Sequence, residues 1–201
     1  MIKLTQKNKY LIYTTNDSKM NYYSENIVHK IIDDDPPEDI IDNIEALYTK
    51  IAELFYKYSH HTICIDYTWS LLRDIKNKVV FRCMDNTHFA IENCPSMMIY
   101  HLKRSPAEIT YYILMICTKP RFKSFGYASN LLDDFIKNVR EKHADSSRPI
   151  KIVLSSVETA VTFYETYGFR WTREPITNHP TLMRYEKYDE KKEYFILELC
   201  I

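Results

Sequence analysis

The sequence predicts an α+β fold of three layers, with helices on either side of a mixed sheet. Three observations carry that expectation. Ile109 to Thr118 (ITYYILMICT) is an unbroken apolar, aromatic and β-branched run, as a central strand covered on both faces requires. From Gly126 the period changes to that of a helix, with Leu131, Leu132, Phe135, Ile136 and Val139 on one face, and a second buried strand follows at Ile150 to Leu154. Strand-like runs lie towards both ends of the chain, at Lys9 to Thr14 and at Glu193 to Cys200.

Taken in order, the first half is the harder to read. After the opening strand, Tyr22 to Ile32 has a weak helical pattern. Asp35, Pro36 and Glu38 form a helix start, with Asp35 as N-cap, proline in the first turn and the glutamate three residues on. The helix predicted from there to Tyr58 places Ile40, Ile41, Ile44, Leu47, Tyr48, Ile51, Leu54, Phe55 and Tyr58 on one stripe. Such a stripe packs into a core more often than it forms a dimer face. Thr62 to Tyr67 and Val79 to Met84 read as strands, with a short helix between Trp69 and Asn77, and Met97 to Leu102 reads as another strand.

The second half is clearer. Arg140, Lys142 and His143 sit in the last turn of the helix from Gly126, where positive charge complements the exposed carbonyls. Ser155 and Glu158 form a second capping-box pattern, opening a helix that carries Ala160, Val161, Tyr164 and Tyr167. Gly168 stands where a left-handed residue ends it, and Phe169 to Thr172 reads as a strand. Neither an internal repeat nor a low-complexity linker divides the chain, so residues 1–201 are expected to form one domain.

Composition narrows the function. Lys plus Arg and Asp plus Glu are equal at 27 each, so the long-range field that draws proteins to nucleic acid or anionic membrane is weak. The five cysteines are odd in number and lack a Cys-x-x-Cys pair, which fits reduced intracellular thiols better than disulfides or a zinc site. His60 and His61 have no acidic or cysteine partner at ligand spacing, and no metal is expected. The N-terminus has no secretory pattern, and no run approaches the ~18 apolar residues of a membrane span. A soluble protein of the cytoplasm is expected, without a nucleic-acid or membrane partner. A homodimer is possible but nothing indicates it.

The chemistry is concentrated in Thr118-Lys119-Pro120-Arg121-Phe122-Lys123-Ser124-Phe125-Gly126-Tyr127-Ala128. This segment joins a buried strand to a helix through a loop with three basic residues and then a glycine. The first amides of a helix lack partners and carry roughly half a positive charge, so such a junction suits a diphosphate. The chain has only two glycines, Gly126 and Gly168, which makes each informative. Lys119, Arg121 and Lys123 add positive charge, although basic loop residues are commonly only solvated.

Lys123 to Ala128 resembles the R/Q-x-x-G-x-G/A motif by which GNAT acetyltransferases hold the pyrophosphate of coenzyme A. Pro120 also stands where that family often has proline. Ala160 to Phe169 (AVTFYETYGF) resembles the family's second signature, A-x-x-[LF]-Y-E-x-x-G-F, at the expected distance. The resemblance covers Glu108 to Trp171 well and the first hundred residues hardly at all. Three positions depart from the pattern: Lys123 replaces Arg or Gln, Ser124 replaces a loop glycine, and Val157 replaces an asparagine.

The resemblance implies a mixed, mostly antiparallel central sheet in which two strands splay apart. It implies acetyl-CoA as cofactor, with Arg121, Lys123, Ser124, Phe125, Gly126, Tyr127 and Ala128 around the diphosphate. The main chain of Ile116, Cys117 and Thr118 would then pair with the pantetheine arm. It also implies N-acetyl transfer to a primary amine, with Tyr164 protonating the thiolate, though one tyrosine among 17 could equally be packing. No general base is assigned. Neutralising a lysine amine at pH 7 costs roughly 4–5 kcal/mol against about 1 for an α-amine. Yet Tyr112 stands where some lysine acetylators have glutamate, and Glu92, Glu108, His88 and His101 have no motif support. The alternative is a GNAT-like protein that binds coenzyme A or a partner without turnover.

Overall fold

The computed structural model describes residues 4–6, 11–13, 22–24, 46, 48–54, 56–57, 64–74, 76–82, 95–185, 190–191 and 193–201. Strands β1 (Leu4–Gln6) and β2 (Leu11–Tyr13) form an antiparallel pair. A second sheet holds β3 (Tyr22–Ser24), β4 (Asn77–Arg82), β5 (Ser96–Arg104), β6 (Ile109–Thr118), β7 (Ile150–Ser156), β8 (Arg170–Trp171) and β9 (Phe195–Cys200), in the order β3-β4-β5-β6-β7-β9-β8. The pair β6–β7 is parallel, whereas β3–β4, β7–β9 and β8–β9 are antiparallel. The helices are α1 (helical at 46, 48–54, 56 and 57), α2 (Ile65–Arg73), α3 (Tyr127–Lys142), α4 (Glu158–Glu165) and α5 (Pro180–Tyr185). The architecture is α+β, as expected, and no helix among the described residues is long and apolar enough to cross a membrane.

The chain forms two compact units, Met1–Ile99 with Ile116–Asp134, and Tyr100–Met115 with Phe135–Ile201. In the first, Ile51 and Ala52 of α1, Leu71 and Leu72 of α2, Val79 and Val80 of β4, and Met97 to Ile99 of β5 are all buried. Each large aliphatic among them contributes roughly 1.5–3 kcal/mol by leaving water. In the second, Phe135 meets Tyr100 and Tyr111 at centroid distances of 4.9 and 5.8 Å, and Ile152, Leu154, Leu182 and Leu197 are fully enclosed.

Three local expectations are corrected. Tyr22 to Ser24 is a strand rather than helix, since ladder pairing with Val80 to Arg82 outweighs a weak local period. Thr62 to Tyr67 was expected as a strand, but from Ile65 the backbone is helical. Thr68, Leu71 and Leu72 recur at helical spacing on its buried side, and Asp66 and Arg73 suit its two ends. That helix stops at Arg73, and the Asn77 side chain donates to the Leu71 carbonyl at 2.8 Å, satisfying one of its orphan acceptors. Finally, Ser155 belongs to β7, and the N-cap of α4 is Val157, which offers no side-chain hydrogen bond. The proposed cap at Asp35 and the histidines at 60 and 61 lie outside the described residues.

Candidate functional site

β6 begins as an interior strand and ends as something else. Its ladder with β7 runs from Ile109↔Ile150 to Ile113↔Leu154 and stops there, although β6 continues to Thr118. Burial follows the same course, complete through Met115 and partial from Ile116 to Thr118. On the side of β5, the Ser96 hydroxyl donates to the Cys117 carbonyl at 3.0 Å, and the Lys119 amide donates to the Pro95 carbonyl at 2.8 Å. The Cys117 carbonyl and the Lys119 amide are thus held on the side of β5, and from Leu114 to Thr118 the strand has no ladder with β7. Burial pushes the Cys117 thiol well above its usual range, so it remains protonated at neutral pH.

The following loop is held by short bonds of its own. A 3-10 turn occupies Pro120–Phe122; the Lys123 amide donates to the Pro120 carbonyl and the Phe125 amide to the Phe122 carbonyl. Ser124 and Gly126 both adopt left-handed backbone, at φ 68° and 79°. The first bond of α3 runs from the Asn130 amide to the Gly126 carbonyl at 2.8 Å, making Gly126 the N-cap residue. The amides of Ser124, Gly126, Tyr127, Ala128 and Ser129 have no hydrogen-bond acceptor among the described residues. A Cβ at Gly126 would meet nothing within 4 Å, so a side chain there would start in open space. The loop thus offers clustered donors at the positive end of a helix, the elements of an anion site.

The three basic residues differ in disposition. Lys119 is buried at 8% exposure, and desolvation with the nearby Arg121 lowers its pKa to about 8. Arg121 lies over the Phe122 ring at 4.6 Å, and that ring meets Tyr127 edge-on at 5.5 Å. Lys123 is exposed.

Ser124 pays for its conformation, because a left-handed backbone costs a non-glycine residue roughly 1 kcal/mol. Ser124→Gly is expected to raise stability by about 0.5–1 kcal/mol and the melting temperature by roughly 2 °C, read by thermal unfolding. An unchanged or lower midpoint would mean that the serine hydroxyl compensates for the strain.

Tyr164 lies in the other unit. Its ring is packed edge-on against Phe163 and Phe169 at 5.1 and 5.8 Å. Gly168, at φ 87°, ends the helix, and both Tyr167 and Phe169 amides donate to the Tyr164 carbonyl. The phenolic hydroxyl has no hydrogen-bond partner among the described residues. Burial pushes its pKa up to about 12, so the phenol keeps its proton throughout the physiological range.

The residues considered as bases are otherwise engaged where they are described. Glu108 accepts from the Thr110 hydroxyl at 3.1 Å and lies 3.5 Å from Lys151, which also pairs with Glu198 at 3.3 Å. His101 is buried with Nδ1 3.4 Å from the Tyr185 hydroxyl. Tyr112 is buried, and desolvation raises its pKa. Residues 88 and 92 lie outside the described residues.

Sequence reasoning missed two participants. Ser96 ties down the end of β6 through the Cys117 carbonyl and a 3.0 Å contact with the Thr118 hydroxyl, across a separation that no local pattern reveals. Ser129 extends the row of free amides by one residue, which counting the orphan donors of a helix from Gly126 would have found.

With a mixed sheet in which the β6–β7 ladder stops at Ile113 and helices beside it, the protein falls in the α+β class. Residues 98–186 match the sequence family described as an acetyltransferase (GNAT) domain. That match spans 89 of the 201 residues, so the likeness to GNAT acetyltransferases is one of this segment. The structure of Tetrahymena GCN5 is similar, with a TM-score of 0.54, 11% identity, and coverage of 78% of this chain and 87% of that one. A Trypanosoma brucei acetyltransferase gives 0.47 and 16%, covering 65% and 91% of the two chains. Arabidopsis thaliana Naa50, solved with the bisubstrate analogue CoA-Ac-MVNAL, gives 0.41 and 17%, covering 61% and 71%. At these identities the likeness concerns the fold. No curated protein matches the chain by sequence.

Proposed function

We propose that this chain transfers an acetyl group from acetyl-CoA to a primary amine of a protein, peptide or small molecule by direct attack. The observation that carries the reading is the set of amides without acceptors among the described residues, those of Ser124 and of Gly126 to Ser129, just after a strand whose ladder with β7 has already stopped. Bound there, acetyl-CoA supplies the thioester. The amides of Ser124, Gly126, Tyr127 and Ala128 would hold its diphosphate, with Phe125 spacing them and Arg121 and Lys123 adding charge. The main chain of Ile116, Cys117 and Thr118 would align the pantetheine arm along this end of β6. An amide there would stabilise charge developing on the carbonyl oxygen. Tyr164 would hold a proton ready for the departing sulfur. We take residues 1–201 as one functional domain, with residues 1–107 on the acceptor side.

Binding without turnover is favoured by two observations: the N-cap of α4 is an apolar Val157 with nothing to offer a ligand, and Glu108 and His101 are already occupied. Incubating the protein with acetyl-CoA and a panel of amines, including peptides with free N-termini and internal lysines, separates the readings. Amine-dependent release of free thiol is expected. Coenzyme binding with no thiol release for any amine would replace the enzyme by the binding protein.

A further inference from the structure

The loop that carries the free amides also displays an aromatic ring with no partner among the described residues. Phe125 is 71% exposed, although it stands between two left-handed residues in a segment otherwise braced by its own contacts. Its neighbour Phe122 shows the contrast: that ring is stacked by Arg121 at 4.6 Å and closed from the side by Tyr127 at 5.5 Å. The Arg121 guanidinium is thereby committed, and Phe125 is left as the loop's one unused flat surface. Its main chain is the opposite of its side chain in this respect, since the Phe125 amide is bonded to the Phe122 carbonyl while the amides on either side of it are free. An anion held by Ser124 and Gly126 would therefore be bound by the two residues that flank Phe125 in the chain.

We propose that Phe125 is a stacking platform for a purine base, so that the loop selects a diphosphate attached to a nucleoside over one attached to pantetheine alone. This rests on the acetyl-CoA reading above and adds a specificity-determining side chain to it. A diphosphate has two ends. If one leads along the end of β6, the other leads outward over the loop, where a base has only Phe125 to lie against. A ring face accepts any base through its π surface, and such a contact is worth a substantial factor in affinity.

The test compares two probes by calorimetry: coenzyme A, and 4′-phosphopantetheine, which keeps the pantetheine arm and one phosphate but lacks the second phosphate and the 3′-phosphoadenosine. Phe125→Ala is expected to weaken coenzyme A about tenfold and leave 4′-phosphopantetheine unchanged, with Phe125→Trp restoring the coenzyme affinity. An alanine variant that binds coenzyme A as the parent does overturns the platform. So does one that loses both probes equally, which would make Phe125 a brace for the loop. If the parent protein binds coenzyme A no more tightly than 4′-phosphopantetheine, neither the base nor the second phosphate contributes and the proposal falls. If the parent binds neither, the acetyl-CoA reading itself fails, and the platform with it.

Discussion

Gly126→Glu is expected to abolish coenzyme A binding and leave the protein folded. The substitution extends a side chain into the open space at residue 126 and adds a carboxylate among residues whose amides lack acceptors among the described residues. At roughly 5 Å and an effective dielectric near 20, a like charge costs about 3 kcal/mol against a phosphate, a loss of two orders of magnitude or more in affinity. The cost to the fold is smaller. A side chain at φ 79° is strained by roughly 1–2 kcal/mol, offset in part by a negative charge at the start of a helix. Calorimetry with coenzyme A and far-ultraviolet circular dichroism read the two quantities separately. Affinity that stays at the parent value in a folded variant would remove the diphosphate from this loop.

Tyr164→Phe is expected to lower kcat by about 10²–10⁴-fold with little change in the KM for acetyl-CoA, because it removes a proton donor and keeps the ring. The contacts with Phe163 and Phe169 survive, and the hydroxyl has no hydrogen bond to lose, so stability should be unaffected. The pH dependence makes the prediction specific. Burial raises this phenol to about 12, so it is protonated below that value and the loss should be the same factor at pH 6 and pH 9. Parent and variant measured side by side across that range settle it. Equal rates would reduce Tyr164 to a packed aromatic.

The legible parts of this chain are those in which a local pattern has a local cause. The run from Ile109 to Thr118 was readable to the residue, because a strand buried through most of its length excludes polar side chains. Leu131, Leu132, Phe135, Ile136 and Val139 all proved buried, because a helix of that length has one face to cover. Gly168 ends α4 at positive φ as its position suggested. Where the pattern was shared by two structures, the reading failed. Ile65 and Tyr67 alternate as a strand would, but the deciding residues, Thr68, Leu71 and Leu72, come later and pack as a helix. Tyr22 to Ser24 became a strand through partners nearly sixty positions away.

By itself, then, the sequence determined the strand, loop and helix from Ile109 to Lys142, and the two glycines that end one helix and open another. Backbone conformation and periodic burial are written in neighbouring residues, so they can be read there. Only the tertiary structure decided that β6 leaves its parallel partner after Ile113, that Cys117 and Thr118 are tied to Ser96, and that Lys119 is buried whereas Phe125 is not. Each of those depends on what the rest of the chain brings alongside, and a hydrogen bond or a buried charge is a property of both partners.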